Sequence, residues 1–189
     1  PPRLEIKWSS DAWIVFNSLH GDSFDIYRIK PDGGGLENIT NTPKESEEDF
    51  IVTPKGDKII YMLANESYVY STWSMELNGA NKEKLMEGYG TSTSLDGRKL
   101  LFHRRENKNS QIFIYDLETR EERRLTEYGD NGGALFFWNN KRIIYSAEED
   151  LDGDGEVDHR YNYKIYIMNI DGSEQRRLTE GEAHESLIG

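Results

Sequence analysis

Residues 94–126 read Ser94-Leu95-Asp96-Gly97, then Lys99-Leu100-Leu101-Phe102, then Gln111-Ile112-Phe113-Ile114-Tyr115-Asp116, then Arg123-Arg124-Leu125-Thr126. A polar turn leads into a short apolar strand with an aromatic end, an alternating strand follows, and a third strand closes the unit. The turn residues act for separate reasons: Asp and Ser side chains bond the local backbone, and Gly accepts a positive φ. Runs of this length, rich in β-branched and aromatic residues and bounded by turn formers, are strands.

The same order recurs along the whole chain. Apolar runs with aromatic ends stand at Trp13-Ile14-Val15-Phe16, Lys58-Ile59-Ile60-Tyr61, Lys99-Leu100-Leu101-Phe102 and Arg142-Ile143-Ile144-Tyr145, their ends 45, 41 and 43 positions apart. Turn formers precede them at Ser9-Ser10-Asp11, Thr53-Pro54-Lys55-Gly56-Asp57, Ser94 to Gly97 and Trp138-Asn139-Asn140. Second strands follow at Ile26 to Ile29, Trp73 to Leu77, Ile112 to Tyr115 and Ile165 to Met168, running into Pro31-Asp32-Gly33, Asn78-Gly79, Glu118-Thr119 and Asp171-Gly172. Asn-Gly and Asp-Gly are strong hairpin signals, because a type I′ turn needs positive φ at both centres. Third strands are expected at Asn38-Ile39-Thr40, Lys84-Leu85-Met86, Arg124-Leu125-Thr126 and Arg177-Leu178-Thr179, and an innermost strand before each turn at Leu4 to Trp8, Phe50 to Thr53, Gly90 to Ser94 and Ala134 to Trp138.

Four antiparallel strands every 40 to 45 residues predict an all-β fold, a β-propeller of four-stranded blades. A lone blade cannot bury both faces and stacks on its neighbours. A β-sandwich also has many short strands, but nothing in it requires one turn chemistry at a fixed period. The expectation is a single propeller domain over 1–189, with repeats at approximately 4–42, 48–87, 89–127 and 133–180.

Residues 94–126 resemble the TolB-type propeller repeat, also called the WD40-like β-propeller repeat, and residues 142–179 are similar to it as well, most closely through Ile165-Tyr166-Ile167-Met168-Asn169-Ile170-Asp171-Gly172. The second repeat departs from the pattern, with Trp73 and Asn78 where Tyr and Asp are expected, and the fourth lacks the Pro-Asp-Gly turn before its second strand. The resemblance implies a ring of six or more blades. The four blades already have four strands each, so the tail Glu182 to Ile188, where a fifth innermost strand would begin, reads as a surplus strand, with three readings: a segment of a larger ring, a four-bladed ring with a frayed end, or a strand donated to another copy, since an unpaired edge is a template for another chain.

Residues 148–158 read Glu-Glu-Asp-Leu-Asp-Gly-Asp-Gly-Glu-Val-Asp, seven carboxylates in eleven residues, inserted into the fourth repeat. Alternating Asp150, Asp152 and Asp154 let three carboxylates converge, Gly155 supplies the sharp turn, and an oxygen-only donor set suits Ca2+. The segment resembles the first nine positions of an EF-hand-type loop, with the backbone carbonyl of Glu156 as a donor, Val157 in the apolar place and Asp158 following. At the twelfth position Tyr161 replaces the bidentate Glu, leaving that role to Asp158, Glu148, Glu149 or water. The bland alternative is a solvated acidic loop.

Composition narrows the partners. With 23 Lys and Arg against 35 Asp and Glu, a net charge of −12 repels phosphate backbones and anionic lipid surfaces, so nucleic acid is an unfavourable partner. No apolar run approaches the roughly 20 residues of a membrane-spanning helix, so membrane insertion is not expected. Absence of cysteine removes disulfides, thiolate catalysis and Cys-ligated zinc. His20, His103, His159 and His184 are scattered without ligand spacing, no nucleophile elbow is present, and Gly33-Gly34-Gly35 reads as a hairpin turn. The four tryptophans read as blade packing or as the lining of a mouth, the recurring pairs Arg123-Arg124 and Arg176-Arg177 as a structural edge feature, and Asn38 and Asn65 as sequon asparagines. The expected function is non-catalytic: a calcium-stabilised module binding a protein partner or copies of itself, exported or on the cell surface. The alternatives are the propeller portion of a larger hydrolase, such as a prolyl-oligopeptidase-like enzyme, and a propeller binding a sugar or another small ligand.

Overall fold

The structure, a computed structural model, describes residues 6–8, 13–43, 45–65, 67, 69–148, 157 and 163–180. The described residues form four four-stranded antiparallel sheets. The first comprises β1 (Ile6–Trp8), β2 (Ile14–His20), β3 (Ser23–Ile29) and β4 (Glu37–Asn38), and the second β5 (Ser46–Val52), β6 (Lys58–Ala64), β7 (Tyr70–Glu76) and β8 (Glu83–Glu87). The third comprises β9 (Tyr89–Thr93), β10 (Lys99–Glu106), β11 (Asn109–Asp116) and β12 (Glu122–Arg124), and the fourth β13 (Asp130–Phe136), β14 (Arg142–Glu148), β15 (Tyr163–Asn169) and β16 (Arg176–Arg177). In every sheet, strands pair in chain order. The chain divides into two compact units, residues 1–90 and 91–189. The expected surplus strand at 182–188 lies outside the described residues.

The turns ahead of β6, β10 and β14 show why the repeat reads as it does. The amide of Gly56 donates to the Thr53 carbonyl at 2.7 Å, that of Gly97 to Ser94 at 2.8 Å, and that of Asn140 to Phe137 at 2.8 Å. All three residues have positive φ, 68°, 70° and 54°. Asn, which tolerates the left-handed region better than other non-glycine residues, therefore stands in for Gly in the fourth repeat.

Each aromatic strand end meets an aromatic directly across the hairpin. Phe16 stacks on Tyr27 with centroids 5.8 Å apart, Phe102 on Phe113 at 5.1 Å and Tyr145 on Tyr166 at 5.4 Å. In the second sheet Tyr61 faces Trp73. Each unit has its own apolar core, built in the first around Val15, Ile26, Phe50, Ile59 and Met75, and in the second around Leu101, Ile112, Ala134, Ile143 and Met168.

Within each unit one sheet is fastened to the next by its hairpin turn. The Asn78-Gly79 turn rests on Ile39, just after β4, where a Cβ on Gly79 would lie 2.4 Å from the Ile39 carbonyl oxygen; Asp171-Gly172 rests likewise on Leu125, just after β12, at 3.1 Å. An arginine clasps each turn: Arg28 donates to the Leu77 carbonyl at 3.1 Å, and Arg123 to the carbonyls of Asp171 and Ile170 at 2.7 and 3.2 Å. The other member of each Arg pair reaches along its own chain, Arg124 to the Thr126 carbonyl and Arg177 to that of Thr179.

Several expected bounds change: β13 starts at Asp130 rather than Ala134, and β4, β12 and β16 end at Asn38, Arg124 and Arg177, before the residues expected to close those strands. The innermost strand of the second sheet starts at Ser46 rather than Phe50, taking in Glu47, Glu48 and Asp49. Trp138 falls beyond β13, in the turn, and is 73% exposed, so it contributes no blade packing. The backbone bends there to form the turn, and its indole touches Phe137 (centroids 5.9 Å apart) at the surface.

Candidate functional site

The first unit contains a cleft of about 570 Å³ lined by residues of the β2–β3 turn, the segment after β4, the start of β5 and the end of β6. Four carboxylates face it, Asp22, Asp25, Glu45 and Glu48, together with the amides of Asn38, Asn41 and Asn65. Among the described lining residues there is no lysine or arginine.

Its walls are held by hydrogen bonds of the loop itself. The Asn38 carboxamide oxygen accepts from the amides of Thr40 (3.2 Å) and Asn41 (2.9 Å), bending the chain away from β4 with Asn41 at φ 52°. Its nitrogen donates to Asp25 Oδ2 at 3.0 Å and to the Tyr27 hydroxyl at 3.2 Å. The Ser46 hydroxyl accepts from the Phe24 amide at 3.1 Å, and Glu48 accepts from the Tyr70 hydroxyl at 2.8 Å. Asn65 accepts from the amides of Ser67 and Val69.

One of these lining carboxylates, Asp25, forms a buried pair with Glu47, which does not line the cleft. Asp25 is 6% exposed. Burial alone would raise its pKa, but the Thr42 amide (3.0 Å), the Asn38 carboxamide and the hydroxyls of Thr40 and Thr42 outweigh it and hold the group below its ordinary value. Glu47 is fully buried; Oε1 lies 2.5 Å from the Thr42 hydroxyl and Oε2 has no hydrogen-bond partner. Burial, with the Asp25 charge adding to it, pushes Glu47 up to about 7.

The corresponding place in the second unit is neutral. Gln111 occupies the register of Asp25, and its Oε1 accepts from the Thr126 hydroxyl at 2.9 Å and from the Asn131 carboxamide at 3.3 Å. Thr40, Thr126 and Thr179 play one part in three repeats, each hydroxyl accepting the amide of the first isoleucine of the second strand.

The expected calcium donors Asp150, Asp152, Asp154, Glu156 and Asp158 lie outside the described residues. Their frame is described: Glu148 and Tyr163 pair across the ends of β14 and β15, so the acidic insertion connects the two central strands of the fourth sheet. Val157, placed by the sequence in the apolar position of the loop, is 7% exposed. Among the described residues no three His, Cys, Asp or Glu side chains gather as a metal site. Burial pushes His103 down to about 4, against a smaller opposing pull from Asp130. Among the described residues no helix is long and apolar enough to cross a membrane.

Sequence reasoning missed the cleft and the buried pair. The available signals were Asp25 standing one residue ahead of an apolar strand run, and the acidic Ser46-Glu47-Glu48-Asp49 immediately before Phe50.

No family model matches the chain. Solved structures share its fold. TolB from Acinetobacter baumannii is 21% identical, with 97% of this chain and 45% of that chain covered and a TM-score of 0.71. A chain of the nidogen/laminin complex is 13% identical, covering 96% and 65%, with a TM-score of 0.67. The β-propeller domain of the Trilobed protease from Pyrococcus furiosus is 18% identical, covering 94% and 58%, with a TM-score of 0.59. This chain therefore spans between 45% and 65% of their lengths. At these identities the likeness concerns the fold alone: the chain has a TolB-like β-propeller fold of four-stranded antiparallel blades.

Proposed function

We propose that this chain is a non-catalytic protein-binding propeller module, and that the acidic cleft of its first unit receives a cationic segment of a partner protein or of another copy. The observation that carries this reading is the described lining: four carboxylates and three amides around about 570 Å³, with no lysine or arginine among the described residues. Such a surface draws in lysine and arginine side chains and offers acceptors when they arrive. Likeness to a chain of a nidogen/laminin complex supports a role in protein recognition. The test is binding to arrayed decapeptides rich in Lys and Arg or in Asp and Glu, with wild type and with D22N/E45Q/E48Q. Salt-sensitive selection of the cationic set, weakened by the triple substitution, is expected; equal binding of both sets by the wild type overturns the proposal.

The fourth sheet adds a proposed calcium site, with the carboxylates of Asp150, Asp152, Asp154 and Asp158 and the Glu156 carbonyl as donors. An oxygen-only set suits a hard cation, and the buried Val157 fits the apolar place in such a loop. Bound calcium would offset the repulsion among these carboxylates and staple the connection between β14 and β15. Asp152→Ala should lower the melting temperature in calcium and leave the chelated protein nearly unchanged; equal melting of the two proteins in calcium would overturn it. We propose on the same ground that the module works outside the cytoplasm, where calcium is abundant.

A second reading rests on the Trilobed protease propeller: this chain could form the propeller portion of a larger hydrolase. An α/β-hydrolase region in the full-length protein would favour it.

A further inference from the structure

We infer that Glu47 is carried as the neutral, protonated member of a buried carboxyl pair with Asp25, and that its deprotonation loosens the junction between the first two sheets. Three observations carry this, and none depends on what the cleft binds.

Donors are divided unequally between the two acids. Asp25 receives the Asn38 carboxamide, the Thr42 amide and the Thr40 hydroxyl, enough to hold a full negative charge. Glu47, with no exposed surface, has the Thr42 hydroxyl at 2.5 Å, weaker help from the Thr40 hydroxyl and its own backbone amide, and no partner at Oε2. For an ionised carboxylate in that setting the loss of hydration outweighs these hydrogen bonds.

The bridging hydroxyl orders the pair. Thr42 Oγ1 lies 2.5 Å from Glu47 Oε1 and 3.4 Å from Asp25 Oδ1. Thr42 has one hydroxyl hydrogen; with Glu47 protonated, Oε1–H donates to Thr42 and the Thr42 hydrogen points to Asp25. With both acids ionised, two acceptors compete for a single hydrogen across a buried gap. The described titratable groups facing Glu47 make matters no easier: Asp25 from β3, Glu45 ahead of β5, and Tyr61 from β6, whose phenol is itself raised by burial and by Glu47 and Glu45. The other acids of β5 are engaged elsewhere, Glu48 with the Tyr70 hydroxyl and Asp49 with that of Tyr89.

The second unit shows what this junction needs. Asn131 donates to Gln111 there, a neutral donor facing a neutral acceptor. Protonated Glu47 supplies the donor for Asp25 through Thr42, whereas ionised Glu47 supplies none.

The test is unfolding of wild type and Glu47→Gln across pH 5 to 9. The native protein binds the Glu47 proton more tightly than the unfolded chain between 4.5 and about 7. Wild-type stability relative to E47Q should therefore fall as pH rises through that window and level off above it. The fall expected is on the order of a hundredfold in the folded-to-unfolded ratio. A difference between the two proteins that does not vary with pH overturns the inference. Should E47Q fail to fold, hydrogen exchange on wild type decides instead: amides of β3 and β5, corrected for intrinsic pH dependence, should lose protection above neutrality while those of β11 and β13 keep it, and equal behaviour overturns the inference. Recovery of wild-type stability at pH 8 by KCl or CaCl2, absent in E47Q, would show a cation rather than a proton between the acids and would also overturn it.

Discussion

Replacing Gly79 by Ala tests how the sheets are fastened. Gly79 has φ 80°, in the left-handed region, where an L-residue costs about 1–2 kcal/mol. The same cost applies to Gly33, at φ 84°, where an added Cβ meets nothing within 4 Å. At Gly79 the Cβ would stand 2.4 Å from the Ile39 carbonyl oxygen and 3.1 Å from the Ile39 Cβ. Carbon and carbonyl oxygen settle at roughly 3.3–3.6 Å, so the turn must retreat by about 1 Å, adding an overpacking cost of about 1–3 kcal/mol. The retreat also draws the Leu77 carbonyl away from Arg28. G79A should thus be less stable than G33A by about 1–3 kcal/mol, a gap of roughly 2–12 °C in melting temperature for a chain of this size. G172A, facing the Leu125 carbonyl at a milder 3.1 Å, should fall between them. Scanning calorimetry of the three variants measures the order directly. G79A melting together with G33A would mean that the turn does not hold the first two sheets together, and the interlock would have to be abandoned.

Three further outcomes follow from the same structure. Leu101→Ala empties a fully buried place in the core of the second unit and should cost about 2–5 kcal/mol in urea denaturation, with the urea dependence unchanged. Arg123→Ala removes two hydrogen bonds to the Asp171 turn and should cost about 1 kcal/mol, while Arg176→Ala at the equivalent repeat position stays within about 0.5 kcal/mol. His103, pushed down to about 4, is neutral in the folded protein where the unfolded chain already takes up a proton; stability should fall as pH drops from 6.5 towards 4, by at most about 3 kcal/mol, and His103→Leu should flatten that limb of the pH–stability curve.

Sequence legibility followed the range of the forces involved. Strand cores such as Lys99 to Phe102 and Gln111 to Asp116 were readable because apolar periodicity and turn chemistry are local. Asn140 could be matched to Gly56 and Gly97 for the same reason: the turn needs positive φ, and only a few residues accept it. The first half of β5 was not readable. Glu47, Glu48 and Asp49 in succession suggest a solvated loop, and what makes them strand residues is the distant Tyr70 and Tyr89 hydroxyls and a chain that returns Thr42 to Glu47.

The junction residues carry this one step further. Asp25, Ser71, Gln111 and Lys164 share one register in the four sheets, directly ahead of Ile26, Thr72, Ile112 and Ile165, yet they are an acid, a hydroxyl, an amide and a base. All four are buried. A buried polar side chain at a repeated position must be matched by its neighbour, since an unmatched one costs about 1–3 kcal/mol. The repeat therefore fixes where a polar group stands and leaves its chemistry to be settled pairwise: an amide with Asn131 in one junction, and a carboxylate with Glu47 in another. Exchanging the partners should expose that logic. Asp25→Asn together with Glu47→Gln would convert the acidic junction to the neutral kind, and the double variant should gain stability over wild type at pH 8 and lose that advantage at pH 5. Stability gained equally at both pH values would mean that the packing of the amides, and not the charge of the acids, sets the strength of the junction.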